Sequence, residues 1–393
     1  MNFAQIRRTL FVVHMWVGLG LGVLLAVLGI SGSILVYDDA IADLLAPPPR
    51  AEAQGSSLPL DAMIAAARTA ARVERGSVTL TPGGPGEAAV VRVGVPARPG
   101  NGPQTGRAQY RDGGGPGAQA NRGMQVYVDP VSGKVLGTAK MGLPPILAFA
   151  HQLHGNFLMG RGGRSFVGWL GVAMLILGVS GLVLWWPKRG QWKYAFLVRR
   201  TARGLRFHRE LHAMAGIWTF VVFMIVSFSG VAIAFPETVR AMVGEQPAAQ
   251  PAFSRDGPVV TLQRGPIIGA DAAVARALKA LPGGTLRSIS LPARRTQAIN
   301  VSLFGSWGGN ANVWIDPWRG TVLAVNDPLA HGDIMAWQRP LHQGAGLGAI
   351  WRVLVFLVGF MPALFVVTGV TMWLKKRRQR ISMSAPLVAE MAR

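Results

Sequence analysis

Four long apolar runs divide the chain. Hydrophobic residues run almost without interruption over 10–36, 165–186, 211–235 and 349–374. An α-helix needs about 20 residues to cross the hydrocarbon of a bilayer, so each run is long enough to span a membrane. The first run exceeds the roughly 7–15 apolar residues of a cleaved signal peptide. The pattern therefore predicts four transmembrane helices, of which the first is a retained span.

Two polar segments separate these runs, 37–164 and 236–340, and both show the same order of elements. Amphipathic spacing predicts one short helix in each, and alternation of apolar and polar residues predicts the strands that follow it. The predicted elements are a helix over 58–72 and strands over 77–80, 88–95, 124–128 and 134–136 in the first segment, and a helix over 271–281 and strands over 286–291, 298–303 and 312–315 in the second. Residues 96–122 are rich in Gly and Pro and are predicted to be disordered.

The two halves of the chain repeat one unit. His14 recurs 198 residues later as His212, and His154 recurs 188 residues later as His342. Further matched positions are Ser31 with Ser229, Asp129 with Asp316, and Ser180 with Thr368. Each unit holds two spans, so both copies have the same orientation, and we expect parallel repeats related by an axis near the membrane normal.

Basic residues are placed where they orient the spans. The chain has 40 Lys and Arg against 18 Asp and Glu, a formal net charge of +22. They cluster before the first span, in 187–209 and in the C-terminal tail, and the positive-inside rule assigns these places to the cytoplasm. Each basic run adjoins a span, so orientation explains it better than nucleic-acid binding does. The polar segments are then predicted to lie outside the cytoplasm.

The histidines are the candidate chemistry of the membrane region. The chain has no cysteine, so a redox metal must be held by histidine or oxygen ligands. His14 and His212 begin spans on the predicted cytoplasmic side, whereas His154 and His342 precede spans on the outer side. A pseudo-twofold axis would oppose the members of each pair, and two opposed imidazoles are the axial ligands of a b-type haem.

Other interpretations of the histidines stay open at this point. His151 could replace His154, and His208 could replace His212, because each lies about one helical turn away. Zinc or copper would need three or four converging ligands, which the sequence does not show. A proton relay would need acidic groups inside the spans. Four arginines near the pairs are candidates either for haem propionates or for anchoring at the membrane surface: Arg8, Arg209, Arg339 and Arg352.

The order of these motifs resembles a known family. The residues that carry the resemblance are His14-x-x-x-Gly18, Tyr127-Val128-Asp129-Pro130-x-x-Gly133, His151-x-x-His154-Gly155, His208-x-x-x-His212 and Trp314-Ile315-Asp316-Pro317. Over nearly the whole chain this plan is similar to the PepSY-associated transmembrane proteins, also called iron-regulated membrane proteins. Some members are di-haem ferric-siderophore reductases of the inner membrane. The resemblance implies two b-type haems here, with His14, His154, His212 and His342 as axial ligands.

The predicted fold class is an α-helical integral membrane four-helix bundle of two parallel repeats, with two extracytoplasmic α+β PepSY-like domains. The predicted segments are a first transmembrane helix (10–36), a periplasmic PepSY-like domain (37–147) with the insertion 96–122, a His-bearing segment with the second transmembrane helix (148–186), a basic cytoplasmic loop (187–209), the third transmembrane helix (210–235), a second periplasmic PepSY-like domain (236–333), a His-bearing segment with the fourth transmembrane helix (334–374) and a cytoplasmic tail (375–393).

The expected function is transmembrane electron transfer. The protein is expected in the bacterial inner membrane, multi-pass, with both termini cytoplasmic. It would take electrons from quinol or a cytoplasmic reductase and reduce a ferric siderophore at the outer face, with no nucleic-acid partner. The alternative is a non-redox membrane protein whose PepSY-type domains bind an envelope partner or modulate a protease. A transporter for the chelate ranks lowest, because two haems would fill a four-helix bundle.

Overall fold

The computed structural model describes residues 3–51, 55–74, 76–94, 123–244, 258–263, 265–294, 296–305, 308–327, 329–330 and 334–391. Its helices are α1 (Phe3–Leu35), α2 (Asp38–Leu45), α3 (Leu60–Ala71), α4 (Pro145–Asn156), α5 (Gly163–Trp185), α6 (Trp192–Ala195), α7 (Gly204–Ala234), α8 (Pro236–Val243), α9 (Ala270–Ala280), α10 (Gln338–Gln343), α11 (Gly348–Gly359) and α12 (Met361–Met391). Its strands are β1 (Val78–Thr81), β2 (Ala89–Gly94), β3 (Gly123–Val128), β4 (Val135–Lys140), β5 (Thr285–Leu291), β6 (Ile299–Phe304), β7 (Asn310–Ile315) and β8 (Val322–Asn326).

The chain divides into two compact units. One unit is helical and comprises residues 1–38, 146–242 and 337–393. The other carries all the strands and comprises residues 39–145 and 243–336. The predicted disorder of 96–122 concerns residues outside those that the structure describes. The membrane part and the polar part of the sequence therefore separate as the hydropathy pattern predicts.

The helical unit contains the four predicted spans. Among the described residues, four helical stretches are long and apolar enough to cross a membrane: Ala4–Leu35, Gly163–Trp185, Gly204–Ala234 and Gly348–Gln379. Helix α1 packs against α5 and α12, and α7 packs against the same two helices. Equivalent helices of the two repeats thus lie diagonally across the bundle. Matched positions on them can therefore face each other across its centre.

Helix α1 and helix α11 approach each other closely through small residues. A Cβ atom on Gly29 would lie 3.2 Å from the Pro362 side chain and closer still to the Gly359 carbonyl. Ser33 Oγ donates a hydrogen bond to the Phe356 carbonyl oxygen at 2.8 Å. Small residues let transmembrane backbones come together in this way, because lipid gives no hydrophobic drive for the contact.

The fourth span is broken where the sequence pattern predicts one helix. Helix α11 ends at Gly359 and α12 begins at Met361. Pro362 follows in the first turn of α12, where its missing N–H costs nothing but where a continuous helix would need that donor. Helix α12 then continues past residue 375, which the sequence assigns to the tail.

The two predicted outer domains share one sheet. All eight strands form an antiparallel sheet in the order β4-β3-β2-β1-β5-β6-β7-β8. The halves meet where β1 pairs with β5, with Val78 opposite Leu291 and Leu80 opposite Ile289. Strand β8 at one edge has no counterpart in the sequence prediction, because its mostly exposed residues lack a clear alternation. The two α+β segments are therefore halves of one unit.

Helices α3 and α9 supply the apolar core of this unit. Met63, Ile64 and Ala67 of α3 are buried together with inward-facing strand residues such as Val91 and Val301. Burying a side chain of the size of Val or Ile contributes about 1.5–3 kcal/mol, so this core stabilises the unit.

Each half also closes a hairpin with a turn at its Asp-Pro motif. Asp129 Oδ1 accepts hydrogen bonds from the backbone N–H groups of Val131 and Ser132, both at 2.9 Å. Gly133 follows with φ of 73°, a conformation that favours glycine. Asp316 makes the equivalent turn in the second half.

Candidate functional site

His14 of α1 and His212 of α7 face each other inside the bundle; we call them the first pair. Their ring centroids lie 6.1 Å apart and the ring planes are inclined by 73°. Both residues occupy matched positions of the repeats, and α1 and α7 lie diagonally opposed. The pairing that the sequence predicts from the repeat is therefore present in the structure.

The hydrogen bonds of the first pair define the protonation of its rings. Ser180 and Thr368 each donate their hydroxyl proton to the carbonyl oxygen four residues earlier, at 2.7 and 2.8 Å. Their oxygens are thus left as acceptors. His14 Nδ1–H donates to Ser180 Oγ at 2.9 Å, and His212 Nδ1–H donates to Thr368 Oγ1 at 2.7 Å. Both Nε2 atoms then carry free lone pairs, which is the tautomer a metal ligand requires.

A cavity of about 1120 Å³ surrounds the first pair. Its walls are mostly apolar side chains and glycines, including Gly18, Gly181, Gly216 and Gly369. The described lining contains no acidic side chain. Five basic residues line the cavity as well: Arg7, Arg8, Arg206, Arg209 and Lys376. Glycine walls admit a flat ring close to the backbone, and the basic residues suit carboxylate groups at its edge.

His154 of α4 and His342 of α10 form the second pair. Their ring centroids lie 5.9 Å apart and the planes are inclined by 39°. His154 Nδ1–H donates to the Leu28 carbonyl oxygen at 2.9 Å, and His342 Nδ1–H donates to the Val226 carbonyl oxygen at 2.9 Å. A carbonyl can only accept, so these rings also have free lone pairs on Nε2.

Glycines of α1 and α7 make room for the second pair. A Cβ atom on Gly32 would lie 2.7 Å from His154 Cε1, and one on Gly230 would lie 2.8 Å from His342 Cε1. Each ring therefore rests directly on the backbone of a span from the same repeat as itself. Any side chain larger than hydrogen at these glycines would displace the imidazole.

Burial keeps the second pair neutral. It lowers the pKa of His154 to about 4, and the neighbouring His342 lowers it further. Burial also lowers the pKa of His342, to which the Arg339 guanidinium adds. Burial disfavours the charged form of an imidazole. Neutral imidazole is the form that binds a metal.

The neighbouring histidines do not join the pairs. His151 is exposed, and its Nε2 lies 3.0 Å from Asp38 Oδ2. His208 is half-buried and its ring contacts Phe207, with centroids 5.6 Å apart. His331 lies outside the described residues. The structure thus separates His154 from His151 and His212 from His208, a choice that the sequence leaves open.

The four candidate arginines also differ in their surroundings. Arg8 and Arg209 line the cavity of the first pair. Arg352 donates two hydrogen bonds to the Val36 carbonyl oxygen, at 3.0 and 2.8 Å, and lies over the Tyr37 ring. Arg352 therefore holds the end of α1, whereas Arg339 acts on His342 electrostatically.

The geometry of both pairs fits axial ligation of a haem. Two metal–nitrogen bonds of about 2 Å each, plus the distance from each ring centre to its nitrogen, place two axial imidazoles with centroids roughly 6 Å apart. The described residues contain no group of three or more His, Asp or Glu side chains that could hold a metal. Two imidazoles per site are what a b-type haem takes from its protein.

The sequence pattern does not indicate which groups accept hydrogen bonds from the imidazoles. Ser180 and Thr368 appear in it only as matched positions of the repeat. A matched hydroxyl opposite a matched histidine was the available signal.

Comparison with known proteins agrees with this architecture. An uncharacterized protein of Pseudomonas aeruginosa, PA4219, is 25% identical over 268 residues, which cover 59% of this chain. The chain spans 64% of the length of that curated relative. The family profile of the PepSY-associated TM region matches residues 11–376. This match includes both histidine pairs, the second and third spans and most of the first and fourth, and the chain belongs to the PepSY-associated TM family.

Proposed function

We propose that this protein is a b-type di-haem electron-transfer protein of the bacterial inner membrane, and that it reduces a ferric siderophore or another ferric chelate at the periplasmic face. The observation that carries the proposal is the geometry of the two histidine pairs. In each pair the rings oppose each other, 6.1 and 5.9 Å apart, with both Nδ1 atoms hydrogen-bonded and both Nε2 atoms available.

The spacing of the pairs supports transfer across the membrane. His154 Nδ1 lies 3.4 Å from Ser31 Oγ, so the second pair lies beside residue 31 of α1, whereas the first pair includes residue 14. A rise of 1.5 Å per residue separates these positions by about 25 Å along the helix. This distance is close to the thickness of the hydrocarbon core, so one histidine pair would lie in each leaflet.

The orientation follows from the charges. Both termini are basic, and so is the segment 187–209. Its basic residues are six in the loop between α5 and α7 and two in the first turns of α7: Lys188, Arg189, Lys193, Arg199, Arg200 and Arg203, then Arg206 and Arg209. The positive-inside rule assigns these segments to the cytoplasm. The first pair is then near the cytoplasmic face and the second near the periplasmic face.

The protein's own groups hold and orient the ligands. The Nδ1 hydrogen bonds fix the tautomer and the rotation of each ring, and such partners raise the basicity of the ligating nitrogen. The cavity wall is mostly apolar, and Arg8 and Arg209, which line it, would pair with the propionates of a bound haem. Bound haem would supply a one-electron Fe(III)/Fe(II) couple at each pair.

The electron count matches a quinol donor. Each ferric ion takes one electron, whereas a quinol gives up two electrons and two protons. One quinol would therefore reduce two ferric ions and release two protons, and a cytoplasmic reductase is the alternative donor. Reduction weakens the chelate, because Fe(II) is softer than Fe(III) and binds hard oxygen ligands less tightly.

Haem content of purified variants tests the site. The protein from haem-replete cells should carry about two haems per chain, with b-type absorption bands. His14→Ala, His212→Ala, His154→Ala and His342→Ala should each lose about one. His151→Ala and His208→Ala are the matched controls and should keep both. A colourless protein, or full haem content in His212→Ala and His342→Ala, would contradict the proposal.

Reduction is tested separately in proteoliposomes. A quinol in the membrane should reduce a ferric chelate that contacts only the second-pair side, as detected by a colorimetric Fe(II) trap. The rate should fall to that of empty liposomes in His342→Ala. A haem-loaded protein that leaves the chelate ferric would retain the haem sites but exclude the reductase activity.

A further inference from the structure

The two histidine pairs differ in what accepts their Nδ1 protons. In the first pair the acceptors are the side-chain hydroxyls of Ser180 and Thr368, at 2.9 and 2.7 Å. In the second pair the nearest acceptors are main-chain carbonyl oxygens, of Leu28 and Val226, both at 2.9 Å, and the hydroxyl oxygens of Ser31 and Ser229 lie farther from the Nδ1 atoms, both at 3.4 Å. All four imidazoles therefore have the same tautomer, but the nearest acceptor is a side-chain hydroxyl in the first pair and a main-chain carbonyl in the second.

The repeat makes this difference a property of the sites. Ser180 and Thr368 are equivalent residues, 188 positions apart, and Leu28 and Val226 are equivalent residues, 198 positions apart. Each site thus has two nearest acceptors of the same chemical kind, one from each half. A single irregular helix would have changed only one imidazole of a pair.

The acceptor type changes the electron donation of the ligand. An amide carbonyl carries more negative charge than an alcohol oxygen, so it draws the Nδ1 proton more strongly and leaves more negative charge on the ring. A more negative imidazole stabilises Fe(III) over Fe(II). Second-shell hydrogen bonds of this kind are among the means by which a protein sets a haem potential.

The charges near the two pairs also favour a higher reduction potential at the first pair than at the second. Five basic and no acidic side chains line the described cavity wall of the first pair. Positive charge favours the less positive Fe(II) state. Near the second pair, charges of both signs are present: Arg339 acts on His342, and Asp38 bonds to His151, one turn before His154.

We propose, on the basis of the proposed function, that the two haem sites are unequal, with a lower reduction potential at the second pair than at the first. Ser180 and Thr368 are the positioning residues of the first pair: as weaker acceptors, they lower its potential through His14 and His212 by less than the Leu28 and Val226 carbonyls lower that of the second pair. The site that faces the ferric chelate is then the stronger reductant, and the site that faces the donor is the better electron acceptor.

Redox titration of the purified holoprotein, followed by its absorption bands, tests the order. The wild type should titrate in two one-electron steps. His14→Ala removes the first site and should keep only the lower midpoint, whereas His154→Ala should keep only the higher one. We expect at least a tenfold difference in the Fe(II) to Fe(III) ratio between the sites, which is about 59 mV for a one-electron couple.

Hydroxyl variants test the cause. Ser180→Ala with Thr368→Val removes the hydroxyl acceptors of the first imidazoles, so the higher midpoint should rise further while the lower one stays. Thr371→Val is the control, since its exposed hydroxyl bonds only within α12. Arg209→Gln removes a positive charge and should lower the higher midpoint. Equal midpoints, a reversed order in the histidine variants, or a hydroxyl variant that titrates like the control would overturn the proposal. Absence of haem would instead contradict the proposed function.

Discussion

Asp61 and Asp271 cap each other's helices. The Asp61 carboxylate accepts hydrogen bonds from the backbone N–H groups of Ala270 and Asp271, at 2.7 and 3.3 Å. The Asp271 carboxylate accepts those of Leu60 and Asp61, at 2.8 and 3.0 Å. The first turns of α3 and α9 thus satisfy each other's free donors, and each carboxylate lies at the positive end of the other helix dipole. This exchange ties the two halves of the strand-bearing unit together.

Removing one of these carboxylates should destabilise both helices. Asp61→Ala leaves two N–H groups of α9 without acceptors, and Asp271→Ala does the same to α3. Loss of a helix cap costs about 0.5–2 kcal/mol. Hydrogen exchange of the full chain in detergent should show faster exchange at residues 270–271 in Asp61→Ala. Asp43→Ala, at an exposed position, is the control, and equal protection in both variants would exclude the capping role.

Gly32 should not tolerate a side chain. Its added Cβ atom in Gly32→Ala would meet His154 Cε1 at 2.7 Å, so the imidazole must move from its place opposite His342. We expect the haem affinity of the second pair to fall by at least about tenfold, as for other changes that misorient a metal ligand. Haem titration measures this. Gly20→Ala lies on the same helix with nothing within 4 Å and should bind as the wild type does; equal affinities would show that the contact is not limiting.

The close crossing of α1 and α11 should be sensitive to volume. Gly29→Val would force the backbone of α1 away from Gly359, whose carbonyl and the Pro362 ring leave no space for a side chain. Overpacking of this kind costs about 1–3 kcal/mol. Thermal unfolding in detergent should show a lower midpoint than for Gly20→Val. A midpoint that matches this control would mean that the two helices separate at no cost.

The proposed orientation can be tested by labelling, because the chain has no cysteine of its own. Lys279→Cys places a thiol at an exposed position of α9, and Lys193→Cys places one in the basic loop at α6. A membrane-impermeant maleimide should label the first variant in spheroplasts and the second only after permeabilisation. The opposite pattern would reverse the orientation and place the second pair near the cytoplasm.

The sequence was most informative where the signal is local. Each span is a long apolar run, and the strands of each half follow from alternation within a few residues, so both are predictable from the chain itself. The pairing of β1 with β5 is not local. Thr79 Oγ1 and Ser290 Oγ lie 3.0 Å apart across it, yet nothing in either segment indicates the other as its partner. Two separate outer domains were therefore expected in place of one sheet.

For the candidate site, too, the sequence could indicate the matched histidines but not the contacts made by helix packing. The repeat singled out His14, His154, His212 and His342, because matched positions survive in both halves. It could not decide between His151 and His154, which lie three residues apart on one helix. That decision depends on Asp38 and on the Leu28 carbonyl, groups that only the packing of helices brings to the two rings.

The joint between β1 and β5 has a consequence for how such a chain could arise. One half of the molecule alone would expose the unpaired edge of β1 and would contain only one histidine of each pair. Two identical halves brought together would cover that edge and complete both histidine pairs at once. A gene of half this length could therefore have worked as a homodimer, and fusion of two copies would then have freed each copy to diverge.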